Sequence, residues 1–223
     1  MRRSRRVKRR ASIHLSPFSE QKSASWYEGK SFTADWTTWN FPHWAKLLQL
    51  YRRRRVRALE IGSWEGRSAL FFLNFLPRAR LTCIDTFGGG QEHRRHAARS
   101  AKMMRILLNV ERRFDANTKE FKKRLEKIKA RSTDTLAKLG VEKRRFDVAY
   151  IDGGHRSVEV YSDAALTWPL IARGGIVIFD DYQYRFEKIR MDNPAPGIDA
   201  FLASIKGQYR IAHKKYQIAI VKR

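Results

Sequence analysis

The chain is poor in cysteine, in acidic residues and in long apolar runs, and each shortage removes a class of protein. Its one cysteine, Cys83, rules out an internal disulfide. Cys83 sits in LTCID, an apparent strand, which suits a buried, unreactive thiol rather than a thiolate metal site. The densest apolar run, ALFFLNFL at 69–76, falls well short of the roughly 18 to 20 residues that cross a bilayer and reads as a core helix. No membrane span is expected. The dinucleotide signature G-x-G-x-x-G is missing, as are zinc-finger spacings, an RNP motif and a KH loop.

Acids number 22 against 47 lysines and arginines, a formal charge of +25. Residues 1–19 hold seven basic groups and no acid, so removing them from that total leaves +18 on the rest. The fold itself is therefore basic, with clusters at RRRRVR, 52–57, and along 93–132. Such charge suits nucleic acid or an anionic membrane as partner; the plainer reading is a set of solvated basic helix faces. The first nineteen residues have no secretory apolar run and read as a disordered basic tail. A cytoplasmic location is expected, with organellar import left open by the Arg-rich, acid-free N-terminus. At 223 residues and 43% apolar content, the remainder suits one folded domain with a real core.

Residues 20–55 carry Trp26, Tyr27, Phe32, Trp36, Trp39 and Phe41, with a helix expected at 41–51. This aromatic segment either packs on the body or forms a flap over a ligand. From Val56 onwards strands and helices alternate. VRALEIG, ARLTCIDTF, FDVAYID and GIVIFDD read as strands, and LEKIKA as a further short strand or the end of a helix. Helices are expected at 66–76, 93–109, 117–125, 133–140, 155–174 and 197–207, the fifth kinked at Pro169. YRIAHKKYQIAIVKR reads as two strands joined at HKK. Over 56–223 the pattern predicts an α/β fold: Rossmann-like, doubly wound, with a mostly parallel seven-stranded sheet ending in an antiparallel hairpin.

Sheets of this kind bind ligands beyond the carboxyl ends of their strands. There the sequence places Glu60-Ile-Gly62, Asp85, Arg131-Ser132, Asp152 and Asp180-Asp181. Gly62 lets the chain turn tightly and lets a ligand come close. Asp85, 23 positions further on, is placed to accept hydrogen bonds from ribose hydroxyls. The adjacent carboxylates of VIFDDY repel each other unless they are solvated, cap a helix or face a cation. With Asp152 nearby they would form a hard oxygen site suited to Mg²⁺, Mn²⁺ or Ca²⁺. His155, three residues past Asp152, is placed either to accept a proton or to orient its loop. Glu159 and Asp163, on the following helix, read as solvent-facing.

In their order and spacing, Glu60-x-Gly62-x-x-x-Gly66, Asp85, FDVAYIDGGH and GGIVIFDDY resemble the class I S-adenosylmethionine-dependent methyltransferases. The resemblance covers roughly 32–223 and is nearest to a branch with an IDG-x-H loop and a DDY strand end, which includes metal-dependent sugar O-methyltransferases. It implies that Glu60, Gly62, Ser63, Gly66 and Asp152 border S-adenosylmethionine, that Asp85 holds its ribose, and that Ser132 lies near the adenine. It further implies a Mg²⁺ or other divalent site at Asp152, Asp180 and Asp181, with His155 and Asp152 catalytic. The acceptor implied is a hydroxyl of a small molecule of sugar or polyol type. DGGH occupies the position of the N/D-PP-Y/F/W motif of amino-directed enzymes, which argues against base N-methylation. Two competing readings use the basic surface: an RNA or protein methyltransferase, and a non-catalytic nucleic-acid-binding protein on the same core. The sequence sets no oligomeric state.

Overall fold

The computed structural model describes residues 17–185 and 187–223. The expected basic tail over 1–19 lies outside them except for its last three residues. Of these, Ser19 Oγ accepts from the Lys22 amide at the start of helix α1 (Glu20–Ala24), and the Phe18 ring sits edge-on to Phe71 and Phe75.

Seven strands form one sheet: β1 (Val56–Ile61), β2 (Ala79–Asp85), β3 (Leu125–Lys129), β4 (Phe146–Ile151), β5 (Ile171–Phe179), β6 (Tyr209–Lys214) and β7 (Ile218–Lys222). Their order is β3-β2-β1-β4-β5-β7-β6, with the first five parallel and β7 antiparallel to both of its neighbours. The expected mostly parallel sheet with its terminal hairpin is what the chain forms, and LEKIKA is its third strand.

Both faces of the sheet are covered, which is why its strands read as near-continuous apolar runs. Val148 and Tyr150 of β4 enter one core with α2 (Phe41–Leu48), α3 (Arg67–Phe75) and α6 (Val110–Thr118). Ala149 and Ile151 enter the other with α7 (Ser132–Val141), α8 (Ser157–Thr167) and α9 (Pro194–Ser204). On the first face Trp44 is fully buried, stacked on Phe72 and edge-on to Tyr150, and its indole N–H donates to Gln217 at 2.7 Å. A buried indole needs such an acceptor.

Two stretches differ from the sequence expectation. The helix expected over 155–174 stops at Thr167, a 3₁₀ turn takes Trp168–Leu170, and β5 begins at Ile171. Pro169 lacks the N–H a continuing helix requires. Gly174, at φ +76°, then allows a bulge between the register pairs Phe146–Ile171 and Val148–Ile176, and this irregular start hid the strand's period. The charged stretch expected as helices 93–109 and 117–125 is three short helices: α4 (Gln91–Ala97), α5 (Ala101–Leu107) and α6. Ser100 divides the first two, its hydroxyl accepting from the Met103 amide.

Candidate active site

The strand order reverses between β1 and β4, so the loops that follow them part to opposite faces and leave a crevice. Gly62 turns the chain out of β1 at φ +82°, and a Cβ there would collide with the backbone carbonyl of Asp152. No other residue fits. The two loops thereby share a wall, braced by hydrogen bonds from Asp152 N to Ile61 O (2.8 Å) and from Gly62 N to Ile84 O (2.9 Å).

Asp85, at the end of β2, holds the first loop in place. Its Oδ2 accepts from the amides of Ser63 (2.7 Å) and Trp64 (2.8 Å), and its Oδ1 from the amide of Phe87 (2.6 Å). Trp64 and Phe87 both adopt positive φ, +45° and +55°, a strained choice for bulky side chains that these bonds sustain. Glu60 lies deeper. It is fully buried, and burial raises its pKa; Oε2 accepts from the Cys83 thiol at 3.1 Å while Oε1 has no partner. The indole N–H of Trp64 is likewise buried without a partner. Unmatched polar atoms beside a glycine turn are what a polar ligand would satisfy.

The second half of the site is a set of acids at the ends of β4 and β5. Carboxylate oxygens of Asp152 and Asp181 and a ring nitrogen of His155 lie within 4.8 Å of one another. His155 Nε2 is 3.0 Å from Asp181 Oδ2, and its Nδ1 is 3.4 Å from Oε1 of Glu92 on α4. Burial alone would lower the pKa of His155, but Asp181 and Glu92 outweigh it and push it up to about 11. Asp181 sits at φ +57°, which aims its side chain back over the strand ends, and its Oδ1 accepts from the Tyr216 hydroxyl at 2.5 Å.

Asp180 takes a different part from its neighbour. Tyr150, buried in β4, donates to Asp180 Oδ2 and approaches Asp152 Oδ2 at 2.9 Å, while Gln217 and the Asp181 amide donate to Asp180 Oδ1 at 2.9 and 2.8 Å. Burial, then repulsion from Asp181, raises Asp180 to about 6, and burial with both neighbouring aspartates raises Asp152 well above the usual range. Of the three predicted carboxylates, the structure thus gathers Asp152 and Asp181 with His155, and ties Asp180 to Tyr150 and Gln217 beneath them. The donor set of two carboxylates and an imidazole fits a divalent cation.

Ser132 opens α7 on the side of Asp163. Asp163, expected to face solvent, is instead buried on α8 against Gly153, and burial raises it to about 6. It faces inward because the loop after β4 folds over that point of α8, a tertiary contact that a helical period does not contain. Glu159 is exposed and accepts from the Arg156 amide. The aromatic N-terminal segment divides in two. Tyr27 and Phe41 pack on the body, whereas Trp36 and Trp39, about half exposed, meet Trp64 and Tyr216 at the rim of the crevice. Glu92, Tyr150, Tyr216 and Gln217 were not singled out from sequence, and no motif spacing marks them.

Comparison with known proteins accords with this geometry. A family profile described as "Methyltransferase domain" matches residues 59–182. No curated protein matches the chain. Among solved structures, the fold is similar to the MycE methyltransferase of the mycinamycin biosynthetic pathway, in complex with Mg, SAH and mycinamycin VI (18% identity, TM-score 0.60). The match covers 91% of this chain but 53% of that one, so the chain spans about half the length of that enzyme. It is also similar to an O-methyltransferase from Bacillus cereus in complex with SAH (16% identity, TM-score 0.59, 94% of each chain). A third is a caffeoyl-CoA O-methyltransferase structure from Staphylococcus aureus (16% identity, TM-score 0.56, 92% of this chain and 93% of that one). Such likeness speaks for the fold, and the profile, which spans more than half the chain, decides the family: the protein belongs to the methyltransferase-domain family.

Proposed function

We propose that the chain transfers the methyl group of S-adenosylmethionine to a hydroxyl oxygen of a small molecule of sugar or polyol type, with the help of a divalent cation. The observation that carries this reading is the convergence of Asp152, His155 and Asp181 within 4.8 Å, on the far wall of the loop that Gly62 opens. A cofactor loop and an acid–imidazole group that share a wall bring a methyl donor and a hydroxyl together, and positioning supplies much of the rate in a displacement on an already activated methyl. The related structures carrying SAH and, in MycE, Mg are consistent with both partners.

In this reading the loop at Gly62, Ser63 and Gly66 borders the methionine end of the cofactor, with Glu60 beneath it. Asp85 fixes that loop through two amides and presents its carboxylate to the ribose edge, and Ser132 lies on the adenine side. Asp152 and Asp181 would hold the cation, which when bound fixes the acceptor oxygen and makes its hydroxyl more acidic. Asp180, with Tyr150 and Gln217, keeps those two carboxylates in register. Held between Asp181 and Glu92, His155 stays protonated, so it orients its loop and Asp181 rather than accepting the hydroxyl proton. Trp36 and Trp39 give the acceptor's carbon skeleton flat apolar surface at the rim.

The test is methyl transfer from labelled S-adenosylmethionine to a panel of sugar and polyol hydroxyls, with Mg²⁺ and then with chelator. Transfer that needs the metal and disappears in Asp181→Ala supports the proposal. Metal-independent transfer, or transfer only to RNA or protein, removes it.

A further inference from the structure

The opposite end of the sheet carries a row of cations that the active site makes no use of. In sheet order the five parallel strands are β3, β2, β1, β4 and β5, and all five begin at this end. The sequence places exposed cations at every one of these starts. Lys122 and Lys123 precede β3, and Arg80 is the second residue of β2. Arg53, Arg54 and Arg55 lead into β1, whose second residue is Arg57. Lys143 and Arg145 precede β4, and Arg173 stands on the bulge that opens β5.

Among the described residues none of these cations is in an ion pair. The acids at this end do little to offset them: Glu126 is taken by Arg144 at 2.8 Å, Asp147 accepts from the Arg57 backbone amide, and Glu142 stands alone. Arg57 and Arg80 are register partners on adjacent strands. Like charges so placed cost stability, and a bound anion would recover it.

We propose that this pole is a docking surface for the phosphate backbone of a single nucleic-acid strand. Parallel strands lie about 4.8 Å apart, so the row spans about 19 Å, the axial length of five or six nucleotides at about 3.4 Å each. Seven of the ten cations are arginine, whose planar fork matches phosphate. A membrane surface fits less well, because the large apolar side chains exposed here, Leu50 and Val141, stand singly on separate elements. Strands of five to seven residues separate this row from the acid end by about 20 Å. The strand is therefore held apart from the methyl-acceptor crevice, and the inference does not rest on the acceptor proposed above.

The test is fluorescence anisotropy of a labelled mixed-sequence 20-nucleotide RNA with the full chain over a salt series. Contact with four or five phosphates predicts a log–log salt slope of about −3, a loss of affinity of about sixtyfold between 50 and 200 mM salt. The triple variant Arg53→Ser, Arg55→Ser, Arg80→Ser should bind at least about tenfold more weakly, with a slope shallower by about 2, while its melting temperature stays that of the parent. Three results overturn the proposal: no binding at 50 mM salt, full affinity in the triple variant, or tighter binding to phosphatidylserine vesicles than to RNA at equal salt.

Discussion

The two ends of this sheet are built from the same strands yet use charge differently. Where the strands finish, Asp85, Asp152, Asp180 and Asp181 gather with Glu92 and His155, each engaged by amides, hydroxyls, an amide side chain or an imidazole. Where they start, exposed arginines and lysines line up with few acids among them. The acid end is partly buried and its groups perturb one another, so its electrostatics are strong and specific. The basic end is solvated, its charges act through their number, and salt screens them. A single net charge of +25 conceals this division.

The comparison is sharpened by substitutions at each end, the largest effects falling at the acid end. Asp181→Ala removes a group of the proposed cation site and the partner of His155 and Tyr216. We expect turnover to fall by about a thousandfold, ~4 kcal/mol, with cofactor affinity unchanged in a titration calorimeter. Asp163→Asn should stabilise the protein. Its folded-state pKa is raised from 3.8 to about 6, so between those values the native state binds the extra proton and stability falls as pH rises, the cost being complete above pH 6. The variant escapes a penalty of up to about 3 kcal/mol: its melting temperature should exceed the parent's at pH 8 and match it at pH 4.

Asp85→Ala releases the amides of Ser63, Trp64 and Phe87 together. Charge-assisted bonds of this kind are strong, and we expect cofactor affinity to drop by about a hundredfold. At the basic end the serine triple variant should lose about tenfold in RNA affinity and leave methyl transfer within about twofold of the parent. If neutralising the basic end slowed methyl transfer as much as Asp181→Ala does, the separation of the two ends would be wrong.

Much of this was legible in the sequence, for a physical reason. Apolar strands buried on both faces announce themselves, and in a parallel sheet whatever follows each strand arrives at one edge, so Gly62, Asp85, Asp152 and the Asp180-Asp181 pair could be placed together. The division of labour between Asp180 and Asp181 was not legible, because it depends on Tyr150 from the neighbouring strand and on Tyr216 and Gln217 from the terminal hairpin. Glu92 joins His155 only through the placing of α4, whose charged sequence has no strong apolar period. Asp163 misled for the converse reason: a polar residue on a helix reads as solvent-facing until a loop folds over it. Of the basic row only the cluster at 52–57 and the lysines at 122 and 123 fell in stretches the sequence marked as basic; Arg80, Lys143, Arg145 and Arg173 join them through the strand order.

The central claim is that the crevice beside Gly62 and Asp85 binds the methyl-donor cofactor, and calorimetric titration of S-adenosylhomocysteine into the full chain tests it most directly. The account predicts saturable binding at one site per chain, lost or greatly weakened in Asp85→Ala. No heat of binding to the parent protein, or equal affinity in the variant, would contradict it.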